Sequence, residues 1–249
     1  MISNRHRRWA GSLLIAGAAV LIAADSGPVI VGEFAASGSV PAPWRTVRLN
    51  KAIPPTRYRL VEFRGSGAVE ASAVKSMALL ARPIRVDLAD TPMLCWRWSV
   101  DAPVAKADMA RKSGDDYAAR VYVAFDMPNS ALSRGTRFKL NIARRLFGAS
   151  VPDAAITYVW DNRHAVGTRQ ASAYTDRAQL IVAETGSAGA GRWVSERTDV
   201  AADFARAFEN APGTPVQLAI ASDADNTKGQ ARAHFADIHF VGRGRACRF

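Results

Sequence analysis

Acidic side chains are concentrated in two short stretches of this sequence. Asp115 and Asp116 are adjacent in SGDDYAARVYVAFD, and Asp223, Asp225 and Asn226 lie together in SDADNTKGQARAHF. Carboxylate and amide oxygens are the ligands that calcium prefers. Adjacent carboxylates in a dry site repel each other unless one is paired, protonated or bound to a metal. The two stretches therefore predict a calcium site or a set of polar ligand contacts, or, as the plain alternative, two turns with structural salt bridges.

The second stretch is not an EF-hand loop. Counting from Asp223, an EF-hand needs glycine at the sixth position and glutamate at the twelfth, where this chain has Lys228 and His234. A calcium site assembled from the side chains of separate loops has no fixed spacing and stays compatible with the sequence. Asn226, Lys228 and Gly229 also suit a hairpin turn, which needs no metal.

Tryptophans offer a second kind of chemistry. In MLCWRWSV the alternation of a strand places Trp96 and Trp98 on one face, where two indoles form a platform for sugar rings or fill a core. Trp160 poses the same choice, and the polar residues that follow it suit the rim of a site. The predicted ligand-binding residues are Trp96, Trp98, Trp160, Asp161, Asn162 and Arg120, of which Arg120 also suits an ion pair with Asp115 or Asp116.

Catalysis has weaker support in the sequence. Glu196 with Asp115 or Asp116 would make a glycosidase pair if the carboxylates lay at the right separation. Asp237 and His239 stand two apart on a predicted strand, where a carboxylate orients an imidazole as in a catalytic triad. The sequence shows no GxSxG motif to supply the nucleophile, and a cross-strand structural role explains the same pair.

Period-two alternation is the clearest structural signal in the chain and predicts most of the elements that would position these residues. Helical spacing recurs only at 136–148, which Gly148 would end, and at 199–209, which Asp199 would cap. We therefore expect a mainly β fold, a jelly-roll-like antiparallel β-sandwich of the kind seen in carbohydrate-binding modules, with one or two short helices. The predicted strands are 58–65, 67–74, 83–88, 93–100, 119–126, 155–161, 178–184, 192–200, 216–222 and 231–241.

The N-terminus has the layout of a secretory signal. Arg5, Arg7 and Arg8 precede an uncharged stretch that runs to Ala24, too short to span a bilayer comfortably. We expect a signal peptide at 1–24, an N-terminal strand and linker at 25–43, and a single β-sandwich domain at 44–249. The mature protein would then be periplasmic or secreted, with no transmembrane segment.

The chain is strongly basic, with 33 Lys and Arg against 22 Asp and Glu. Cleavage at the predicted position would remove three arginines and no acidic residue, leaving a net charge of about +8. The basic residues are scattered, and exported proteins rarely meet nucleic acid. The charge therefore favours anionic surfaces or polymers of the cell envelope over nucleic acid.

Cys95 and Cys247 are the two cysteines of the chain. In an oxidising compartment they would join across a long loop. The alternative is a buried Cys95 and a loose Cys247 in the C-terminal tail. The absence of a CxxC motif or a Cys/His cluster argues against a zinc site of the usual kind.

An ordered set of motifs carries a family resemblance: LCWRWSV, SGDDYAARVYVAFD, ITYVWDN, SERTDVAADFARAF and IASDADNTKGQARAHFADIHF. Together they resemble a family of exported bacterial proteins known as the domain of unknown function numbered 3047, over most of the chain from Val29 to Val241. The resemblance implies an extracytoplasmic location and a single β-rich domain. It implies no activity.

The leading functional hypothesis is a non-catalytic binding protein for a polar ligand, a saccharide or a cell-envelope polymer. It requires an exposed aromatic side chain beside the acidic residues. The first alternative, a glycan-acting hydrolase or lyase, requires a deep cleft that holds two carboxylates, or one carboxylate and His239. The second alternative, an envelope assembly or scaffold protein, requires an apolar surface patch or an open sheet edge.

Overall fold

The computed structural model describes residues 27–147 and 151–249. The predicted signal peptide and Gly148, the predicted end of the first helix, lie outside these ranges. No helix in the described ranges has the length and apolar character needed to cross a bilayer.

Thirteen strands and two α-helices make up most of the described chain. The first seven strands are β1 (Val29–Gly32), β2 (Arg45–Val47), β3 (Arg57–Phe63), β4 (Ser66–Val74), β5 (Leu79–Pro83), β6 (Met93–Val100) and β7 (Arg120–Asp126). They are followed by α1 (Arg134–Phe147), β8 (Ala154–Asp161), β9 (Arg169–Ser172), β10 (Thr175–Thr185), β11 (Val194–Asp199), α2 (Val200–Ala207), β12 (Thr214–Ala221) and β13 (Gln230–Val241).

The strands form two sheets packed face to face. The first sheet has the order β11-β6-β13-β4-β3, with β1 also paired to β13, and the second has the order β2-β5-β12-β7-β8-β10-β9. All pairs are antiparallel except β8 with β10, which run parallel. This arrangement confirms the predicted mainly β, jelly-roll-like sandwich.

The core lies between the sheets and is rich in aromatic rings. Trp96 and Trp98 project inward from β6, and Phe125 projects toward them from β7. Phe204 of α2 stacks on Phe125 at a ring-centroid distance of 4.0 Å. The predicted cap of this helix is present, since the Asp199 carboxylate accepts a hydrogen bond from the backbone N–H of Ala202 at 2.9 Å. The helix thus closes part of the sandwich core.

The strand predicted at 83–88 is displaced in the structure. The strand is β5, which ends at Pro83, although Ile84 and Val86 are buried in the core as their alternation predicts. Alternation reports which side chains are buried, whereas a strand also needs a ladder of backbone hydrogen bonds. Beyond Pro83 the chain stays extended and still buries alternate side chains, but it no longer belongs to a strand of the sheet.

A β-bulge changes the faces of β13. The register against β6 shifts between Ala236 and His239, and Asp237 has a positive φ of 54°. The extra residue reverses the alternation, so Phe235, Ile238 and Phe240 all enter the core. An unbroken strand at 231–241 would place Phe235 on the same face as Asp237 and His239, and the bulge prevents that arrangement.

The segment between β12 and β13 is not a hairpin. The strand β12 pairs with β5 and β7 in the second sheet, whereas β13 pairs with β1, β4 and β6 in the first. Residues 222–229 therefore carry the chain from one sheet to the other. A turn does form there, with Lys228 at a positive φ of 57° and the backbone N–H of Gly229 bonded to the carbonyl of Ala224 at 3.1 Å.

Cys95 and Cys247 form a disulfide, with their Cα atoms 5.8 Å apart. The joined alternative of the sequence analysis is therefore the one that the structure adopts. The bond holds the C-terminal tail against the outer face of β6.

Candidate functional site

Three connections meet at one end of the sandwich. They are the long loop that precedes β7, the turn between β9 and β10, and the crossing at residues 222–229. Gly114 allows the first loop to fold tightly, because a Cβ atom there would lie 2.7 Å from the backbone nitrogen of Asp108. The crossing is fixed by backbone bonds to the β4–β5 turn, from Ala224 N to Ser76 O and from Lys75 N to Gly229 O. These connections carry the acidic stretches found in the sequence.

The structure brings both acidic stretches together. Asp115, Asp116, Asp223 and Asp225 are all buried and, with Arg120, form what we call the acid cluster. Carboxylate oxygens of Asp116, Asp223 and Asp225 lie within 4.8 Å of one another. Five residues that are up to 110 positions apart in the chain thus share one small volume.

Arg120 is the cationic centre of the acid cluster. Its guanidinium holds Asp223 through both carboxylate oxygens, with a 2.9 Å bond from Nε to Oδ1. It also contacts the Asp115 carboxylate at 3.3 Å and donates to the Asp115 carbonyl. Burial raises the pKa of Asp223, and the charge of Arg120 opposes that rise. The fork geometry stabilises the ionised carboxylate, so we treat Asp223 and Arg120 as an ion pair.

Asp116 is held by the opposite loop. It accepts hydrogen bonds from the backbone N–H groups of Asn226, at 3.1 Å, and Thr227, at 2.6 Å. The Asn226 side chain adds a bond to the same carboxylate and another to the Asp115 carbonyl, both at 3.3 Å. Asp116 thus ties the first loop to the crossing.

Asp225 differs from the other carboxylates of the acid cluster because its Oδ1 atom is buried without a hydrogen-bond partner in the described part of the chain. The hydroxyls of Ser222 and Thr227, on the same loop, also lack partners there. Burial raises the pKa of Asp225, and the charge of Asp116 raises it further. Buried oxygens without partners are costly unless a ligand, an ion or water satisfies them.

The acid cluster therefore carries an excess of negative charge. One buried guanidinium faces four carboxylates, and both oxygens of Asp223 are used by that guanidinium. The remaining oxygens of Asp116 and Asp225, with nearby hydroxyl and carbonyl oxygens, are hard ligands of the type that calcium accepts. The five residues predicted to bind metal, the four aspartates and Asn226, are thus neighbours in the fold.

Tyr174 is a site residue that sequence reasoning missed. It lies in the turn between β9 and β10, is 54 % exposed, and donates its hydroxyl hydrogen to Asn226 Oδ1 at 3.0 Å. The ammonium of Lys112 lies 5.3 Å from the centre of its ring. The available signal was a lone aromatic residue in the polar turn ASAYTDR, where no core is at hand to bury it.

The predicted tryptophan platform is corrected by the structure. Trp96, Trp98 and Trp160 are all fully buried, and their rings contact one another and Tyr158 in the core. Alternation had placed Trp96 and Trp98 on one face of β6 correctly. That face is the inner one, so none of these indoles is available to stack on a sugar.

Asp161 and Asn162 hold loops rather than forming an open rim. The Asp161 carboxylate accepts the backbone N–H groups of Arg163 and His164, both at 2.7 Å. The Asn162 amide donates to the carbonyls of Ala105 and Ala107, at 3.0 and 3.2 Å. Their hydrogen bonds organise the chain beside Trp160.

The predicted Asp237–His239 pair does not form. The Asp237 carboxylate binds Arg97 across the strands, and His239 Nδ1 instead contacts the Asp237 carbonyl at 2.6 Å. His239 Nε2 accepts the backbone N–H of Arg248 at 3.1 Å. Both imidazole nitrogens are therefore occupied, which corrects the hypothesis of His239 as a base oriented by Asp237.

Glu196 lies on β11 and accepts a hydrogen bond from Trp98 Nε1 at 3.1 Å. The pKa of Glu196 is raised to about 8, mainly by burial. The hydrogen bond from Trp98 opposes this rise, and the charge of Glu184 adds to it. Glu184 is the charged residue that acts on this carboxyl, and none of the described contacts of Glu196 involves Asp115 or Asp116. Two surface grooves, one beside α1 and one beside Trp44, are lined by none of these carboxylates.

A polar row on the outer face of the first sheet was also missed by the sequence analysis. Glu70, His234 and Ser99 stand directly opposite one another on β4, β13 and β6. His234 Nε2 lies 3.5 Å from Glu70, and Phe63 stacks on the imidazole at 3.8 Å. Ser99 is 1 % exposed, so a substrate has no access to its hydroxyl in this conformation.

Comparison with known proteins places the chain in a family. The family model described as "Protein of unknown function (DUF3047)" matches residues 42–239. No curated protein matches.

The chain resembles two solved structures. One is the xyloglucanase domain of NopAA, a type three effector from Sinorhizobium fredii, in complex with cellobiose (9 % identity, TM-score 0.39, covering 85 % of this chain and 100 % of that one). The other is endoglucanase 3 of Trichoderma harzianum, from family GH12 (8 % identity, TM-score 0.38, covering 81 % and 100 %). Since the family model covers well over half of the residues, this protein belongs to the DUF3047 family.

Proposed function

We propose that the protein is an exported, non-catalytic binding protein for a saccharide or another polar polymer of the cell envelope. Its binding site would be the acid cluster together with Tyr174. The observation that carries the proposal is Tyr174 itself, an aromatic side chain with more than half of its surface exposed, bonded to Asn226 at the edge of the acid cluster. An exposed aromatic in this position is what the binding hypothesis requires.

The chemistry of the site suits a sugar ring. The axial C–H groups of a sugar pack on an aromatic face, which Tyr174 supplies. Asn226 Oδ1, which accepts one hydrogen bond from Tyr174, has a second lone pair for a sugar hydroxyl, and Lys112 offers a cation for a carboxylate or phosphate group. Because Lys112 lies near the ring, a saccharide that carries carboxylate or phosphate groups would fit once a bound cation has offset the excess negative charge of the acid cluster.

We further propose that calcium occupies the acid cluster. Two observations support this assignment: Asp225 Oδ1 has no hydrogen-bond partner in the described ranges, and carboxylates outnumber the single guanidinium of Arg120. The oxygens of Asp116 and Asp225 would hold the ion. A bound ion would lower the repulsion in the cluster and fix Asn226, and with it the hydroxyl of Tyr174.

Export is a separate part of the proposal. The layout of residues 1–24 supports a periplasmic or secreted location, and so does the Cys95–Cys247 disulfide, since such bonds persist in oxidising compartments. Cell fractionation with an antibody to the chain tests it: recovery in the cytoplasm at full length would contradict export.

A binding assay tests the site. The chain is screened on an array of neutral and acidic glycans, and each hit is titrated by calorimetry with the parent and with Tyr174→Ala and Tyr174→Phe. We expect Tyr174→Ala to lower the affinity by about tenfold or more, since stacking and its hydrogen bond are both lost, and Tyr174→Phe to lower it less. Phe249→Ala, which removes another half-exposed aromatic, is the matched control.

Two results would contradict the proposal. If Tyr174→Ala and Phe249→Ala bind every glycan equally well, the ligand does not contact Tyr174. If the parent releases sugar fragments from a bound glycan, the protein is an enzyme, the alternative that the acidic pairs of the sequence suggested. Glu196→Gln then tests whether its protonated carboxyl is the acid of that reaction.

A further inference from the structure

The helix α1 presents an apolar pair to solvent. Leu140 is buried and anchors the helix on the sandwich, whereas Phe138 and Ile142 are 66 % and 42 % exposed. Each lies two residues from Leu140, so at about 100° per residue both point about 160° away from the anchoring side. Large apolar side chains on the outer face of a helix indicate a surface that meets another phase or partner.

Cations flank this apolar pair. The fourteen residues of α1 include Arg134, Arg137, Lys139, Arg144 and Arg145 and no acidic residue. Arg144 turns inward and binds Asp153 at 2.8 Å. The other four have no carboxylate partner among the described residues. Arg134, Lys139 and Arg145 fall about 100° to 140° from Leu140, which places them on either side of Phe138 and Ile142.

The helix is fixed in this orientation by its inner side. Besides its ion pair with Asp153, Arg144 donates to the carbonyl of Val151 at 3.0 Å. Asp153 also accepts the backbone N–H of Met127 at 2.9 Å, at the end of β7. Leu140 and Leu132 pack into the main core. The apolar pair and its flanking cations are therefore held outward by the sandwich.

We propose that α1 docks the protein on the surface of an anionic lipid bilayer. Phe138 and Ile142 would enter the boundary between headgroups and acyl chains, while Arg134, Lys139 and Arg145 contact lipid phosphates. A groove of about 490 Å³ beside the helix is lined by Arg134, Arg137 and Arg144 and has room for a headgroup. The helix lies on the membrane in this arrangement and does not cross it.

A bilayer fits this face better than an anionic polymer does. A polyanion would use the cations and leave Phe138 and Ile142 in water, whereas the interface of a bilayer buries apolar and cationic groups together. The helix also lies at a different place in the fold from Tyr174, since none of the residues that line its groove belongs to the acid cluster. The protein would thus bind the membrane and its polar ligand through separate surfaces.

Vesicle flotation tests the proposal. The full chain is mixed with vesicles of phosphatidylcholine alone or with one quarter phosphatidylglycerol, and the bound fraction is measured for the parent and two double variants. The first is Phe138→Ser/Ile142→Ser, and the second is Arg134→Gln/Lys139→Gln. Matched controls at exposed positions elsewhere are Val166→Ser and Arg85→Gln/Arg206→Gln. Comparison with the parent removes any constant contribution from residues 1–24.

We expect stronger binding to the anionic vesicles than to phosphatidylcholine alone, and weaker binding to the anionic vesicles at high salt. Each double variant should lower the partition coefficient by about tenfold or more. For Arg134→Gln/Lys139→Gln this follows from about fivefold for each cation removed. The controls should leave the partition coefficient unchanged. Equal binding by the parent and Phe138→Ser/Ile142→Ser, or equal binding to both vesicle types, would overturn the proposal. The proposal would also be overturned if the parent does not bind vesicles while a soluble polyanion binds Phe138→Ser/Ile142→Ser as well as it binds the parent.

Discussion

Substitution of Asp225 by asparagine should change the stability of the protein in opposite directions with and without calcium. The carboxylate oxygens of Asp116, Asp223 and Asp225 lie within 4.8 Å of one another. Two unit charges at that distance repel by about 3.5 kcal/mol at an effective dielectric constant of about 20. In chelator, Asp225→Asn relieves part of this repulsion, so we expect the variant to melt at a higher temperature than the parent.

With calcium the order should reverse, provided that the relief of repulsion in chelator is smaller than the gain from the ion. An ion that binds only the folded state at about 100 times its Kd stabilises it by about 2.7 kcal/mol. For a chain of this size each kcal/mol corresponds to about 2–4 °C, so the parent should gain roughly 5–11 °C. Asp225→Asn removes one charged ligand whose Oδ1 atom has no other partner among the described residues, and most of that gain should disappear.

Differential scanning calorimetry measures all four combinations. Asp176→Asn, an exposed aspartate near Tyr174 but outside the acid cluster, is the control and should follow the parent in both buffers. A parent whose melting temperature is the same in calcium and in chelator would refute calcium binding. A variant that is less stable than the parent in chelator would refute the claim that the Asp225 charge is unfavourable in the empty cluster.

Three further outcomes follow from the geometry. Arg120→Met should destabilise the fold by about 3–5 kcal/mol in urea unfolding, because it leaves Asp223 and Asp115 buried without their cation; a loss below about 1 kcal/mol would contradict the ion-pair assignment. Glu196 has a folded pKa of about 8 against an ordinary value of 4.5, so the folded state binds its proton more tightly and stability should fall as the pH rises from about 4.5 to 8. In Glu196→Gln the melting temperature should depend less on pH between about 4.5 and 8. In the exposed control Glu62→Gln the dependence should stay as in the parent. The double variant Cys95→Ser/Cys247→Ser should lose about 2–5 kcal/mol, measured by urea unfolding, and reducing agent should destabilise the parent but not this variant.

The architecture was largely readable from the chain because alternation is a local property. The strands β4, β6, β7, β8 and β13 match their predicted spans within one residue at each end. The short strands β2 and β9 were missed, since three or four residues carry too little alternation to stand out. The bulge at Asp237 was also hidden, because a bulge is defined by the partner strand and not by the residues that form it.

The residues of the acid cluster were predicted one by one, whereas the exposed aromatic residue beside them was not predicted. The aspartates stood at the ends of predicted strands, which made their convergence a natural expectation. Alternation showed that Trp96 and Trp98 share a face but could not show whether that face meets water. Tyr174 lies outside every strand pattern, and only the meeting of three connections places it beside Asn226.

The disulfide also sets an order of events during the making of the protein. Cys95 belongs to β6, a strand with partners on both sides in the first sheet, and Cys247 lies 152 residues further along the chain. A ribosome or export channel releases the chain from its N-terminus, so every strand of the first sheet emerges before Cys247 does. The sheet can therefore be complete before the bond closes. The disulfide thus locks an arrangement that strand pairing has already built and does not guide its assembly.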